Sequence, residues 1–152
     1  MNERINLGKN APHMYDKLIS LKHDMQALIK DANINEGFSH LLLLRASQIN
    51  GCAFCVRLHT KDALDTNESI ERISVLPAWR ETAYFDEKER ASLQLVESIC
   101  YIRDSHIPDD VYERAKKVLN EKEILAVQWL ALVINALNIL AISSRLEVKK
   151  EE

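Results

Sequence analysis

Apolar residues recur along most of the chain at intervals of three and four, the spacing that places them on one side of an α-helix. Met14, Leu18, Leu21, Met25 and Leu28 form the first such stripe and predict a helix over about Pro12 to Lys30. The polar run Asn33 to Gly37 ends it. A second helix is expected from about Phe38 to Ile49, where Asn50-Gly51 gives a turn signal. A third begins at about Cys52 and runs to near Asp65, and a fourth covers about Ser69 to Ala78. Asp86 and Glu89 have capping-box spacing and open a fifth helix expected to reach about His106. Pro108, tolerated in a first helical turn, opens a sixth to Leu119. Asn120 and Glu123 repeat the capping-box spacing and open a last helix ending near Arg145, followed by a charged tail, Lys149 to Glu152, expected to fray. No stretch reads as a strand, and no linker or repeat divides the chain. The expectation is an all-α fold: one helical bundle of six to seven helices spanning residues 1–152.

Composition agrees. A chain of 152 residues suits one core and needs no disulfide framework to hold it. Three glycines and three prolines are too few for a turn-rich β architecture. A net charge of −3 argues against a nucleic-acid partner. Ile124 to Ile142 is almost wholly apolar and about long enough to span a bilayer. Gln128, Asn135 and Asn138 would be costly in lipid, so the segment reads as a buried central helix and no membrane is expected. The polar Met1 to Asn10 lacks the apolar core of an export signal, so the cytoplasm is the expected location. There, paired cysteines are more often catalytic or metal-binding than structural.

The segment Gly51-Cys52-Ala53-Phe54-Cys55-Val56-Arg57-Leu58-His59 carries the chemistry. On a helix at ~100° per residue, Cys52, Cys55 and His59 fall within one sector of ~60°. Residues three apart have Cβ atoms about 5–6 Å apart, so a modest adjustment permits a reversible disulfide. Asn50-Gly51 places the pair in the first helical turn, where free N–H groups favour a thiolate. His59, one turn past Cys55, can accept or return a proton. Three other readings compete: two small core hydrophobes, a zinc site using Cys52, Cys55 and His59 with His40 or Cys100 as a fourth ligand, and a haem or thioredoxin motif. The last fails because Val56, not His, follows the second cysteine and no βαβ pattern surrounds it. Zinc normally draws on two separated ligand pairs, and a second pair is not visible, so no metal and no cofactor is expected. Cys100 reads as an inert core thiol, Ser47 and Gln48 as helix-contact residues, Arg57 as exposed, and Trp79 and Trp129 as core or interface.

The stretch from Arg45 to Ala63, RASQINGCAFCVRLHTKDA, resembles the core of the alkylhydroperoxidase D-like proteins of the carboxymuconolactone decarboxylase superfamily. Leu76-Pro-Ala-Trp-Arg-Glu81, Phe85, Glu89-Arg-Ala91 and Ile134-Asn-Ala-Leu-Asn138 extend the similarity, which covers about Phe38 to Ser144. It implies a homo-oligomer, trimer or hexamer, with peroxidase or disulfide-reductase activity. On the matching positions Cys55 would attack a hydroperoxide, Cys52 would resolve the resulting sulfenic acid, and His59 would belong to a proton relay reset by an external thiol or dithiol reductant protein. The family's relay glutamate is replaced here by His40. With antiparallel helices, His40 and His59 differ in height by only about 4–5 Å, so His40 is a candidate substitute in the relay; packing is the other reading, and Glu36 is the weaker replacement. A non-catalytic redox sensor switched by the same disulfide is the alternative function. The dense apolar segment Ile73, Val75, Leu76, Trp79, Tyr84 and Phe85 is expected to leave a patch for a second copy.

Overall fold

In the computed structural model, which describes residues 3–150, helices appear almost where the periodicity puts them. They are α1 (Leu7–Asn10), α2 (Pro12–Asp31), α3 (Glu36–Asn50), α4 (Ala53–Asp65), α5 (Ile70–Val75), α6 (Glu87–Cys100), α7 (Ile102–Ser105), α8 (Asp109–Val118) and α9 (Glu121–Ser143), with a 3₁₀ segment at Leu76–Glu81. No strand occurs among the described residues. Glu151 and Glu152 of the expected charged tail, and Met1 and Asn2 of the polar start, lie outside them.

Three boundaries differ from expectation, each for a local reason. A short helix, α1, precedes the first expected one; Asn6 caps it by accepting a hydrogen bond from the Lys9 N–H. The fourth helix leaves α geometry at Leu76, because Pro77 supplies no N–H and the chain tightens into a 3₁₀ turn. The fifth divides at Tyr101, whose ψ of 32° breaks the helical path. Ser105 Oγ then donates to the Ser98 carbonyl at 2.6 Å, and His106 and Ile107 both take positive φ. Both capping boxes form: Asp86 with Glu89 opens α6, and Asn120 with Glu123 opens α9.

Helices α3 and α9 lie at the centre. Helix α3 packs on α4, α6 and α9, and α9 packs on α2, α3 and α6. Leu41, Leu42, Leu44, Leu93, Leu130 and Ile134 fill the space between them. Removing each such leucine from water contributes roughly 1.5–3 kcal/mol. The expected patch at Ile73–Phe85 does not exist as surface. Ile73, Leu76, Trp79 and Phe85 are buried within the chain, and Tyr84 alone of that set is exposed. Trp79 is held by a buried carboxylate: Glu97 accepts hydrogen bonds from Trp79 Nε1 at 2.8 Å and Arg45 Nε at 2.9 Å and pairs with Arg80. Burial pushes the Glu97 pKa up, but bonds from Trp79, Arg80 and Arg45 and the charge of Arg80 outweigh it, and the net shift is downward.

Candidate functional site

The site begins at the reversal between α3 and α4. Gly51 takes φ +67°, and no atom lies within 4 Å of where its Cβ would be. Glycine is favoured there by backbone conformation, not by lack of room. Its N–H donates to the Gln48 carbonyl and the Cys52 N–H to the Ser47 carbonyl, which closes α3. The reversal is tied to the central helix by polar side chains. Asn50 Nδ2 donates to Asn135 Oδ1 at 2.8 Å and to Asn138 Oδ1 at 2.9 Å. Asn138 Nδ2 in turn donates to Ser47 Oγ at 3.1 Å. Ser47 and Asn138 are fully buried, so leaving either unpaired would be costly. Ser47 is thus a helix-contact residue, as its sequence context indicates.

Cys52 is the N-cap of α4, and its Sγ accepts the Cys55 N–H at 3.3 Å. The two cysteines are joined as a disulfide with a Cα separation of 5.3 Å. They are 1% and 4% exposed and pack against Ala141 at the end of α9, with Leu146 alongside. Cys100 is elsewhere: half-buried, it accepts from Asn135 Nδ2 at 3.5 Å, and burial raises its pKa. It is no partner of the pair, and its thiol is poorly ionised. Arg57 faces outward on α4.

His59 lies one turn beyond Cys55 on α4 and is 3% exposed. His40, on α3, is brought against it: the ring centroids are 6.5 Å apart and the planes lie 24° from parallel. Asp62, one further turn along α4, completes the group. Its Oδ2 is 3.4 Å from His59 Nδ1 and 4.0 Å from His40 Nδ1. Sequence reading overlooked Asp62, although its i+3 spacing from His59 places it on the same helix face. Burial lowers the His59 pKa from 6.5 to about 4; the Asp62 carboxylate opposes the shift, while His40 and Lys22 add to it. His59 is therefore neutral near pH 7 and can accept a proton without holding it. His40 also lines a cleft of about 470 Å³ between α2, α3 and α9, whose walls include Met25, Ile29, Lys30 and Leu130. Glu36 stands on the rim of that cleft, away from the two imidazoles' shared carboxylate. The arrangement supplies a dithiol–disulfide pair at a helix start and, next to it, two imidazoles and a carboxylate that can pass protons.

Comparison with known proteins places this geometry among relatives. The model of the carboxymuconolactone decarboxylase family matches residues 18–98. An uncharacterised protein of Bacillus subtilis (strain 168), YdfG, is 34% identical over 138 residues, covering 91% of this chain and 89% of that protein. A crystal structure from Agrobacterium tumefaciens superposes with a TM-score of 0.89 at 32% identity, covering 99% of this chain and 100% of the other. That protein is of unknown function, with a role suggested for it as the antioxidant defence protein AhpD. The debrominase Bmp8 shares the fold at a TM-score of 0.78 and 15% identity, over 94% of this chain and 74% of its own.

Proposed function

The chain belongs to the carboxymuconolactone decarboxylase family, and from that membership we propose that it is a thiol-dependent peroxidase of the alkylhydroperoxidase D kind. The reading rests on one observation above the others: Cys52 and Cys55 share a disulfide at the start of α4, one turn from a buried, neutral His59. In the reduced protein the Cys55 thiol gives its proton to His59. The thiolate attacks the distal oxygen of a hydroperoxide, the O–O bond breaks, and Cys55 becomes a sulfenic acid. The departing alkoxide takes a proton and leaves as an alcohol, or as water when the substrate is hydrogen peroxide. Cys52 sulfur then attacks the sulfenic sulfur, water leaves, and the disulfide forms. A thiol or dithiol reductant protein supplies two electrons and two protons to reopen it.

His40 and Asp62 serve His59 in this scheme. Asp62 faces Nδ1 of His59, so the other ring nitrogen is the one left for the thiol. His40 stands at the cleft and links the buried group to solvent. Peroxide consumption by the reduced protein, measured against several thiol donors, tests the reading. An enzyme removes many equivalents of peroxide per chain. A redox switch consumes about one and stops, and that result would replace the peroxidase by a sensor.

A further inference from the structure

The cluster His40, His59 and Asp62 has a property that a proton relay does not require. The Nδ1 atoms of both imidazoles are buried, and neither makes a well-formed hydrogen bond, His59 Nδ1 standing 3.4 Å from Asp62 Oδ2. Both are turned toward the same carboxylate. Buried nitrogens left without a partner are costly, and two of them aimed at one anionic oxygen form a set of three donors. We propose that His40 Nδ1, His59 Nδ1 and Asp62 Oδ2 bind one divalent transition-metal ion.

The geometry is close to what such an ion needs. Metal–ligand distances of about 2.1 Å at angles between 90° and 109° set donor–donor separations of about 3.0–3.4 Å. The His59–Asp62 separation is already 3.4 Å, the His40–Asp62 separation is 4.0 Å, and the three ligand atoms lie within 4.8 Å of one another. Rotation of Asp62, whose side chain is one-third exposed, and of His40 at the cleft can supply the remaining contraction. His59 is fixed by its burial.

The donor types select the ion. Two imidazoles and one carboxylate favour zinc, cobalt, nickel or ferrous iron over magnesium and calcium, which take oxygen ligands. Three protein ligands leave at least one position open, and the cleft beside His40 gives water or a small anion a route to it. His40 is what makes the donor set nitrogen-rich, and neither cysteine belongs to it, so the site does not depend on the dithiol. The proposal is independent of peroxide chemistry. It does predict an interaction with that chemistry, since an ion on His59 Nδ1 keeps the ring proton on Nε2, the nitrogen left for the thiol.

The test uses the full chain in its disulfide form, so that neither cysteine sulfur can ligate. Metal-stripped protein is titrated with Co²⁺, followed by visible absorption, and with Zn²⁺ by competition; native mass spectrometry gives the stoichiometry. The expected result is one ion per chain, with a nitrogen and oxygen ligand spectrum and no sulfur charge-transfer band. Asp62→Asn, which preserves shape, and His40→Ala should each weaken binding at least ~10-fold, while His40→Glu should keep most of it. Circular dichroism checks that each variant is folded, and Mg²⁺ at the same concentration should not compete. The Cys52→Ser, Cys55→Ser double variant should bind as the wild type does. Absence of Co²⁺ and Zn²⁺ binding, binding unchanged in both Asp62→Asn and His40→Ala, or loss of binding in the cysteine double variant would overturn the proposal; the last would point to a thiolate site instead.

Discussion

The two sulfurs of the dithiol receive different help from their surroundings. Cys52 Sγ sits at the N-cap and takes a backbone N–H, so the positive end of α4 favours a thiolate at that atom. Cys55 lies one turn from His59 and gains a base instead. If attack falls to Cys55, Cys55→Ser abolishes peroxide consumption, and Cys52→Ser leaves one sulfenic acid that a dimedone-type reagent traps on Cys55. An adduct on Cys52 in the reciprocal variant would show that the N-cap, not the imidazole, selects the nucleophile. His59 itself makes a pH-dependent contribution to stability. Its pKa is about 4 in the folded chain against an ordinary 6.5, so the unfolded chain binds a proton that the folded chain refuses. Stability is therefore whole above pH 6.5, falls as pH drops through that window, and levels near 4, by about 3 kcal/mol at most. Urea unfolding of the metal-free, disulfide-bonded protein should show a shallower acid limb in His59→Gln than in the wild type. His40→Ala should lose most of the peroxide-reduction rate, by a factor on the order of 10²–10⁴, and His40→Glu should retain it. An unchanged rate in His40→Ala would make His40 a packing residue. The positions of Cys52, Cys55, His59 and His40 could be read from spacing and resemblance. Asp62 could be placed on the His59 face by its spacing but not singled out, because an aspartate on a partly exposed helix face looks in sequence like the many that only meet solvent.

At the scale of elements, what holds the site is the joint between α3 and α4. Its two devices are of different strength. Gly51→Ala would force a left-handed φ on a residue with a Cβ, which costs about 1–2 kcal/mol without any clash. Asn138→Ala would remove one acceptor from Asn50 Nδ2 and the donor to buried Ser47 Oγ, and would leave a cavity between α3 and α9, at about 2–3 kcal/mol. For a chain of this size each kcal/mol lowers the melting temperature by roughly 2–4 °C, so calorimetry should rank Asn138→Ala below Gly51→Ala. The reverse order would mean that the turn, not the asparagine network, carries the joint. The same contrast explains which boundaries could be anticipated. The capping boxes and the Asn-Gly turn are local signals, complete within four residues, and both appear where expected. The break at Tyr101 is not local. It depends on Ser105 reaching back seven residues to the Ser98 carbonyl and on two consecutive positive-φ residues, neither of them glycine. No propensity at Tyr101 announces it.

Over the whole molecule, the least legible feature was which side of α9 faces outward. A helix apolar all round gives no preferred face by periodicity, and α9 is long and apolar enough, by length and composition, to cross a membrane. Packing supplies the missing information. One side is buried against α2, α3 and α6, and the opposite side leaves Leu125, Trp129, Leu132 and Ile139 between 38% and 64% exposed. At ~100° per residue these four fall within about 80° of one another, so they form a single stripe. No charged residue occurs between Ile124 and Ser144, which leaves nothing along the stripe to recruit a charged partner. Exposed apolar stripes mark contact surfaces, and a two-fold axis would set this one against its copy on a second chain. It is a different surface from the Ile73–Phe85 segment, which the fold has already consumed. Light scattering at micromolar concentration should therefore give a mass well above the 17.5 kDa of one chain. Leu132→Lys with Trp129→Glu should lower that mass toward the monomer while leaving the helical circular dichroism intact. If the wild type runs at the monomer mass, the stripe is bare in solution. If the double variant keeps the wild-type mass, association uses another face, with Met14 and Tyr15 on α2 the next exposed apolar pair to substitute.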